Sequence, residues 1–189
     1  MRTKLFALIT IIGMYGYGSA QQSEWQRQDK TDALRGTAYT QFVLTGKFLT
    51  PPRQAAAAPV FVMKCSPGEY RHGATWRKNG KYMGAYIVVG AVVNSGTSGI
   101  RTQYRLDNGK IHDELWDSGT DGTAIFPPII ELNTVLYGHF LPHKEGSGDS
   151  VRKLVISVAE YLGVDVVMEF DMSQSEAAAD ACGLILHKK

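Results

Sequence analysis

The sequence predicts a mainly β protein of the α+β class, folded as an antiparallel β-sandwich or a curled sheet with two helices packed on one side. Segments in which apolar and polar residues alternate recur along the chain of 189 residues, and glycine- or proline-rich turns separate them. Asn79-Gly80 and Asn108-Gly109 each lie between two such segments, and this dipeptide is typical of tight β-hairpins. We expect one β-rich domain over residues 21–189.

The first strands follow from alternation. Residues 25–34 are polar and mixed, and Asp29-Lys30-Thr31-Asp32 within them predicts a turn. Thr37–Leu49 alternates over its whole length and predicts one strand. Residues 50–59 contain three prolines and few side chains that pack, so they predict an exposed loop. The short apolar run Val60–Cys65 is typical of a buried strand.

The next segment predicts a hairpin. Residues 70–76 and 82–93 are strand candidates, and Asn79-Gly80 lies in the turn between them. Gly84 and Gly90 interrupt the second strand, where they predict bulges or close packing.

The stretch Arg101–Phe126 carries the most specific local signals. Arg101–Leu106 and Ile111–Trp116 predict two strands joined by a type I′ turn, in which Asn108 and Gly109 both take positive φ. A second tight turn over residues 117–122 then leads to the apolar segment Ala124–Phe126.

The C-terminal part predicts two helices around a strand pair. Apolar residues recur at helical spacing over residues 128–140, where Pro128 suits the first helical position. Residues 154–158 and 164–170 alternate and predict paired strands. Ser173–Glu176 matches a capping box, and it predicts a short helix that ends at Gly183.

The N-terminus predicts export. Arg2 and Lys4 precede the apolar run Leu5–Met14, and Gly18-Ser19-Ala20 supplies small residues at a cleavage site. We therefore expect residues 1–20 to be a signal peptide, with no membrane span after its removal and a periplasmic or extracellular location.

Charge and cysteine content indicate which partners to expect and how the cysteines pair. After loss of Arg2 and Lys4, 18 basic residues face 18 acidic residues, so a nucleic-acid partner is not expected. The two cysteines, Cys65 and Cys182, predict a disulfide, because isolated pairs in exported chains are most often bonded.

No catalytic residue, metal ligand set or cofactor is predicted. The pattern Asp117-x-Gly119-x-Asp121-Gly122 lacks two ligands of a calcium loop, and a turn whose aspartates cap their own backbone explains it better. His112-Asp113-Glu114 lies on a predicted strand, so adjacent residues face opposite sides and a metal cluster is not expected there.

The chain resembles the type VI secretion-associated proteins of the VasI/TagO kind, and the matching features extend over nearly the whole mature chain. They are Trp25 with Asp29, Thr31 and Asp32; Val60–Cys65; Tyr104–Asp107; Trp116 with Ser118; Asp121–Phe126; Phe170-Asp171; and Cys182. The resemblance implies an exported, non-enzymatic accessory or binding module with a protein partner in the cell envelope. The alternatives are a secreted hydrolase acting on cell-envelope material, or a free-standing exported adhesion or inhibitor domain.

The candidate binding residues are Arg105, Asp107, Trp116 and Asp121. We expect Arg105 to form an internal ion-pair network with the two aspartates, above a packed Trp116. The same cluster is a candidate recognition surface, because tryptophan, tyrosine and arginine are favoured at binding hot spots. Of these two roles, we favour the structural one for this cluster.

Overall fold

The computed structural model describes residues 24–53, 57–68, 70–72, 75–77, 80–93, 99–127, 152–161 and 163–183. Within these ranges the chain forms twelve strands and one helix, α1 (Ser175–Ala181). The strands are β1 (Gln26–Thr31), β2 (Ala38–Thr45), β3 (Lys47–Thr50), β4 (Val60–Cys65), β5 (Tyr70–His72), β6 (Thr75–Arg77), β7 (Tyr82–Val88), β8 (Ile100–Leu106), β9 (His112–Ser118), β10 (Ala124–Phe126), β11 (Lys153–Ala159) and β12 (Asp165–Asp171).

Ten of these strands form one antiparallel sheet in the order β1-β2-β4-β7-β10-β9-β8-β11-β12-β3. The expected mainly β class and the antiparallel pairing are therefore confirmed. The β8–β9 and β11–β12 hairpins also form as expected. The sequence left open a β-sandwich or a curled sheet, and these ten strands pair as a single sheet.

The sheet curls because the chain bends at Gly46, between β2 and β3. β2 pairs with β1 and β4, whereas β3 pairs with β12 at the opposite end of the strand order. A Cβ on Gly46 would lie 2.6 Å from the Phe170 ring and 2.8 Å from the Glu169 carbonyl oxygen. Glycine alone therefore allows this close approach to β12. The single strand predicted over Thr37–Leu49 is corrected to two strands with different partners.

The concave face of the curl forms one apolar core. Inward side chains from both halves of the strand order meet there, and Phe61 of β4 lies edge-on to Phe170 of β12 with ring centroids 6.0 Å apart. Trp25 packs edge-on against Phe61 at 5.6 Å. The most enclosed large side chains are Leu44, Phe61, Met63, Ile87, Ile100, Ile125, Ile156, Met168 and Phe170.

The disulfide predicted between Cys65 and Cys182 lies at the end of this core. The two Cα atoms are 5.3 Å apart, within the range that a disulfide spans, and both residues are buried. The bond ties the end of β4 to the residue that follows α1. Gly80 reinforces the junction, since its N–H donates to the Ala181 carbonyl at 2.9 Å.

Helix α1 starts differently from the prediction. Gln174 is its N-cap and makes no side-chain capping bond, so the capping box over Ser173–Glu176 is wrong. Asp171 explains the difference, because its Oδ1 accepts the Ser173 N–H at 3.0 Å and forms a turn before the helix. Gly183 ends the helix as predicted, with φ of 67°. The helix predicted over residues 128–140 lies outside the described residues.

Two other expectations are corrected near the edges. The polar segment predicted as turns contains the edge strand β1, which pairs along its whole length with β2. The strand predicted over residues 70–76 is instead the separate β5–β6 hairpin, while β7 pairs with β4 and β10. Local composition cannot separate one long strand from two short ones. The bulge expected at Gly84 is confirmed, because the β4–β7 register shifts beside its partner Lys64.

The proline-rich loop is less exposed than predicted. Pro52 and Pro59 are buried, and the Glu160 carboxylate accepts the Arg53 backbone N–H at 3.1 Å. Glu160 is itself buried at the end of β11. This contact anchors the start of the loop to the far half of the sheet.

Candidate functional site

Arg105 does not join the expected ion-pair network. Its side chain is exposed on β8, and it forms no ion pair with any described residue. Geometry explains why the network fails. Asp107 follows β8 at the hairpin turn, whereas Asp121 follows the far end of β9. The seven residues of β9 separate these ends by about 20 Å, at about 3.3 Å per residue.

Asp107 has a structural role in place of the ion pair. Its Oδ1 accepts the backbone N–H of Arg152 at 3.0 Å and that of Lys153 at 2.8 Å. The hairpin turn is therefore tied to the start of β11. Its conformation also corrects the prediction, because Asp107 has φ of 46° and Gly109 N–H donates to the Leu106 carbonyl. The turn thus lies one residue earlier than a type I′ turn centred on Asn108-Gly109.

Asp121 caps its own backbone, as the sequence predicts. Its Oδ1 accepts the Thr123 N–H at 3.0 Å, and this bond lowers the pKa of its carboxyl group. Within the described ranges, no group of three or more His, Cys, Asp or Glu side chains is placed to hold a metal ion. The part of the chain that the structure describes also contains no helix of sufficient length and apolarity to span a bilayer.

Trp116 is buried in a polar–aromatic row on the inner face of the β8–β9 hairpin. It lies 5.8 Å from the Tyr104 ring, and Tyr104 stacks on His112 with centroids 4.7 Å apart. The Glu114 carboxylate accepts the Tyr104 hydroxyl at 3.0 Å and the Trp116 Nε1–H at 3.4 Å. Burial and these bonds make Trp116 a packing residue, so it is not presented to a partner.

The outer face of the same hairpin is exposed and mixed in character. Arg101 donates to both oxygens of Asp113, with Nε to Oδ1 at 2.9 Å, and Gln103 donates to Oδ2 at 3.1 Å. The Arg101 hydrogen bonds lower the pKa of Asp113 to about 2. Ile111 and Leu115 remain 64% and 56% exposed. We name this surface the hairpin face: Arg101, Gln103, Arg105, Ile111, Asp113 and Leu115.

A second surface crosses the outer face of β2, β4, β7 and β10. The Lys64 ammonium lies 5.2 Å from the Tyr39 ring centroid and 5.1 Å from that of Tyr86. Tyr86 stacks on Phe126 with centroids 5.5 Å apart, and Phe126 is 38% exposed. Burial, followed by the nearby Tyr39, raises the pKa of Tyr86. We name these four residues the aromatic–lysine row.

A third feature is a charged depression of about 500 Å³ at the corner beside Gly46. Glu169 lies at its wall and pairs with Lys47 at 2.9 Å and Lys153 at 3.4 Å. The hydrogen bond from Lys47, with a smaller contribution from Lys153, lowers the pKa of Glu169. These ion pairs join β3, β11 and β12, so we assign the charged residues of the depression a structural role.

The comparisons with known proteins add no assignment. The chain matches no family model, no curated protein and no solved structure.

Sequence reasoning missed the aromatic–lysine row. Its four residues come from strands far apart in sequence, and only the register of β2, β4, β7 and β10 brings them together. Alternation did carry part of the signal, because it places Tyr39 and Lys64 on the faces opposite Thr40 and Met63.

Proposed function

We propose that this chain is an exported, non-enzymatic accessory module that binds a protein partner in the cell envelope, in association with type VI secretion. The observation that carries the binding role is the hairpin face. There, Ile111 and Leu115 are largely exposed beside Arg105, which forms no ion pair with any described residue. Exposed aliphatic groups around an arginine suit a protein–protein contact, since arginine is enriched at binding hot spots.

The disulfide supports the exported location. Such bonds persist in oxidising compartments and are rare in the cytosol of most organisms. The bond between Cys65 and Cys182 therefore fits the signal peptide expected over residues 1–20. The association with type VI secretion is supported by the resemblance of residues 104–107, 116 and 121–126 to the VasI/TagO kind.

The hairpin face is rigid enough to present a fixed surface. Asp113 is held by Arg101 and Gln103 across β8 and β9, and Asp107 ties the turn to β11. Sites built on braced strands lose less conformational entropy on binding than sites on loops. Arg105 lies on one of these strands, with Val155 as its register partner in β11.

The test places a photo-crosslinking amino acid at position 115 in the native host and identifies the captured protein by mass spectrometry. Arg105→Ala and Leu115→Asp should each weaken binding of that protein about tenfold or more, as expected for hot-spot residues. Both should leave the thermal midpoint unchanged, since both side chains are exposed. Arg35→Ala, in the exposed β1–β2 turn, is the matched control.

The same variants test the secretion role. If the module serves type VI secretion, release of the tube protein should fall in cells carrying Leu115→Asp and stay normal with Arg35→Ala. Normal release in a strain lacking the whole gene would refute the secretion role. Capture of no envelope protein from position 115 would refute the hairpin face as the binding surface.

A further inference from the structure

The aromatic–lysine row contains an ammonium group without an acidic partner. Lys64 is half-buried between two phenol rings, and it forms no ion pair or hydrogen bond with any described residue. The described residues also supply no hydrogen bond to the side-chain hydroxyls of Tyr39 and Tyr86. A cation and two free hydroxyl donors therefore lie together on the outer face, available to an anion.

The surroundings add polar groups that suit a hydroxyl-rich ligand. Gln41 lies directly opposite Lys64 in the β2–β4 register and donates through Nε2 to Gln28 at 2.8 Å. Lys30 lies opposite Tyr39 in the β1–β2 register, is exposed, and has no described acidic partner. Two cations therefore flank the tyrosine, with a pair of side-chain amides beside them.

We propose that the aromatic–lysine row binds a glycan whose sugar rings carry carboxylates. The Lys64 ammonium and the two phenol hydroxyls would hold a carboxylate. The exposed part of Phe126 would lie against the C–H face of a neighbouring ring, and the amides of Gln28 and Gln41 would bond hydroxyl groups.

The dimensions and chemistry of the row favour this occupant. Four adjacent strands about 4.8 Å apart make the row about 14 Å long, which suits an extended oligosaccharide. The row contains no exposed aliphatic side chain, in contrast to the hairpin face, so it is less suited to a protein contact. The balanced charge of the mature chain means that attraction to an anionic polymer depends on these local cations. This ligand is independent of the protein partner proposed above.

Titration calorimetry on the disulfide-bonded mature protein tests the proposal. The probes are oligogalacturonate, its methyl ester with the same rings but no charge, and polyglutamate, which has carboxylates but no sugar. We expect oligogalacturonate to bind. Each of the other two probes should bind at least about tenfold more weakly, which is the loss expected when a charge-assisted contact is removed.

Variants locate the site. Lys64→Met should weaken oligogalacturonate binding about tenfold, whereas Lys110→Met makes the same charge change on the exposed hairpin turn and should bind like wild type. Tyr86→Phe keeps the ring and removes the hydroxyl, so it should also weaken binding in a fully folded protein. Circular dichroism and the thermal midpoint confirm folding of each variant.

Five outcomes would overturn the proposal. Four are no binding of oligogalacturonate, equal binding of its methyl ester, wild-type binding by both Lys64→Met and Tyr86→Phe, and an equal loss in Lys110→Met. The fifth is equal binding of polyglutamate, which would assign the row to an acidic polypeptide.

Discussion

Removing the disulfide should cost a large part of the stability of this protein. Cys65 and Cys182 are 117 residues apart in sequence, so the bond closes a loop that includes most of the sheet. The chain-entropy relation for a loop of that length gives about 5 kcal/mol at 25 °C. Typical domains have about 5–15 kcal/mol of net stability, so the loss would leave the fold marginal. The double variant Cys65→Ala/Cys182→Ala also removes two buried sulfur atoms from the core.

Urea denaturation followed by far-UV circular dichroism measures this effect. The oxidised protein, the same protein with reductant, and the double alanine variant form one series, and the first two differ only in the bond. We expect a loss of about 2–5 kcal/mol on reduction. A loss below about 1 kcal/mol would refute the reasoning, because it would mean that the unfolded chain is not appreciably constrained by the bond.

Two further predictions concern the bend and the hairpin face. Gly46→Ala should destabilise the protein by about 1–3 kcal/mol, since the new Cβ would collide with Phe170 and β12 backbone; an unchanged urea midpoint would contradict this packing. Asp113 should titrate near pH 2 by NMR and return towards its ordinary pKa in Arg101→Met. Because its folded pKa is lowered, the pairing should help stability above the unfolded pKa of about 3.9 and lose that effect as pH falls towards 2; an unshifted Asp113 would contradict the pairing.

Alternation predicted most strands, and the reasons for its failures are local. Residues 154–158 and 164–170 have one buried face each, so their alternation is kept in the structure as β11 and β12. Val60–Cys65 forms β4 as its apolar run predicts, with Phe61, Val62 and Met63 buried in succession. β1 was missed because an edge strand with little buried surface keeps a polar composition.

The candidate site was less predictable because its geometry depends on strand register and on which end of a hairpin each residue occupies. Asp107 and Asp121 are close in sequence to Arg105, yet an antiparallel hairpin sends its turn and its open end in opposite directions. Conversely, Lys64 meets Tyr39 and Tyr86 only through pairing of distant strands. The disulfide was predictable because the chain has two cysteines, which leave a single intramolecular pairing.

The bend at Gly46 has a consequence for the order in which the protein is completed. β3 emerges early in synthesis, but its partner β12 follows more than a hundred residues later. Long-range pairings of this kind slow folding, and the unpaired edge of β3 stays open until β12 arrives. Any chain cut short before Asp165 therefore lacks the strand that completes the curl, and it presents β3 to other chains as a site for aggregation. The sheet can therefore be completed only after β12 has been synthesised.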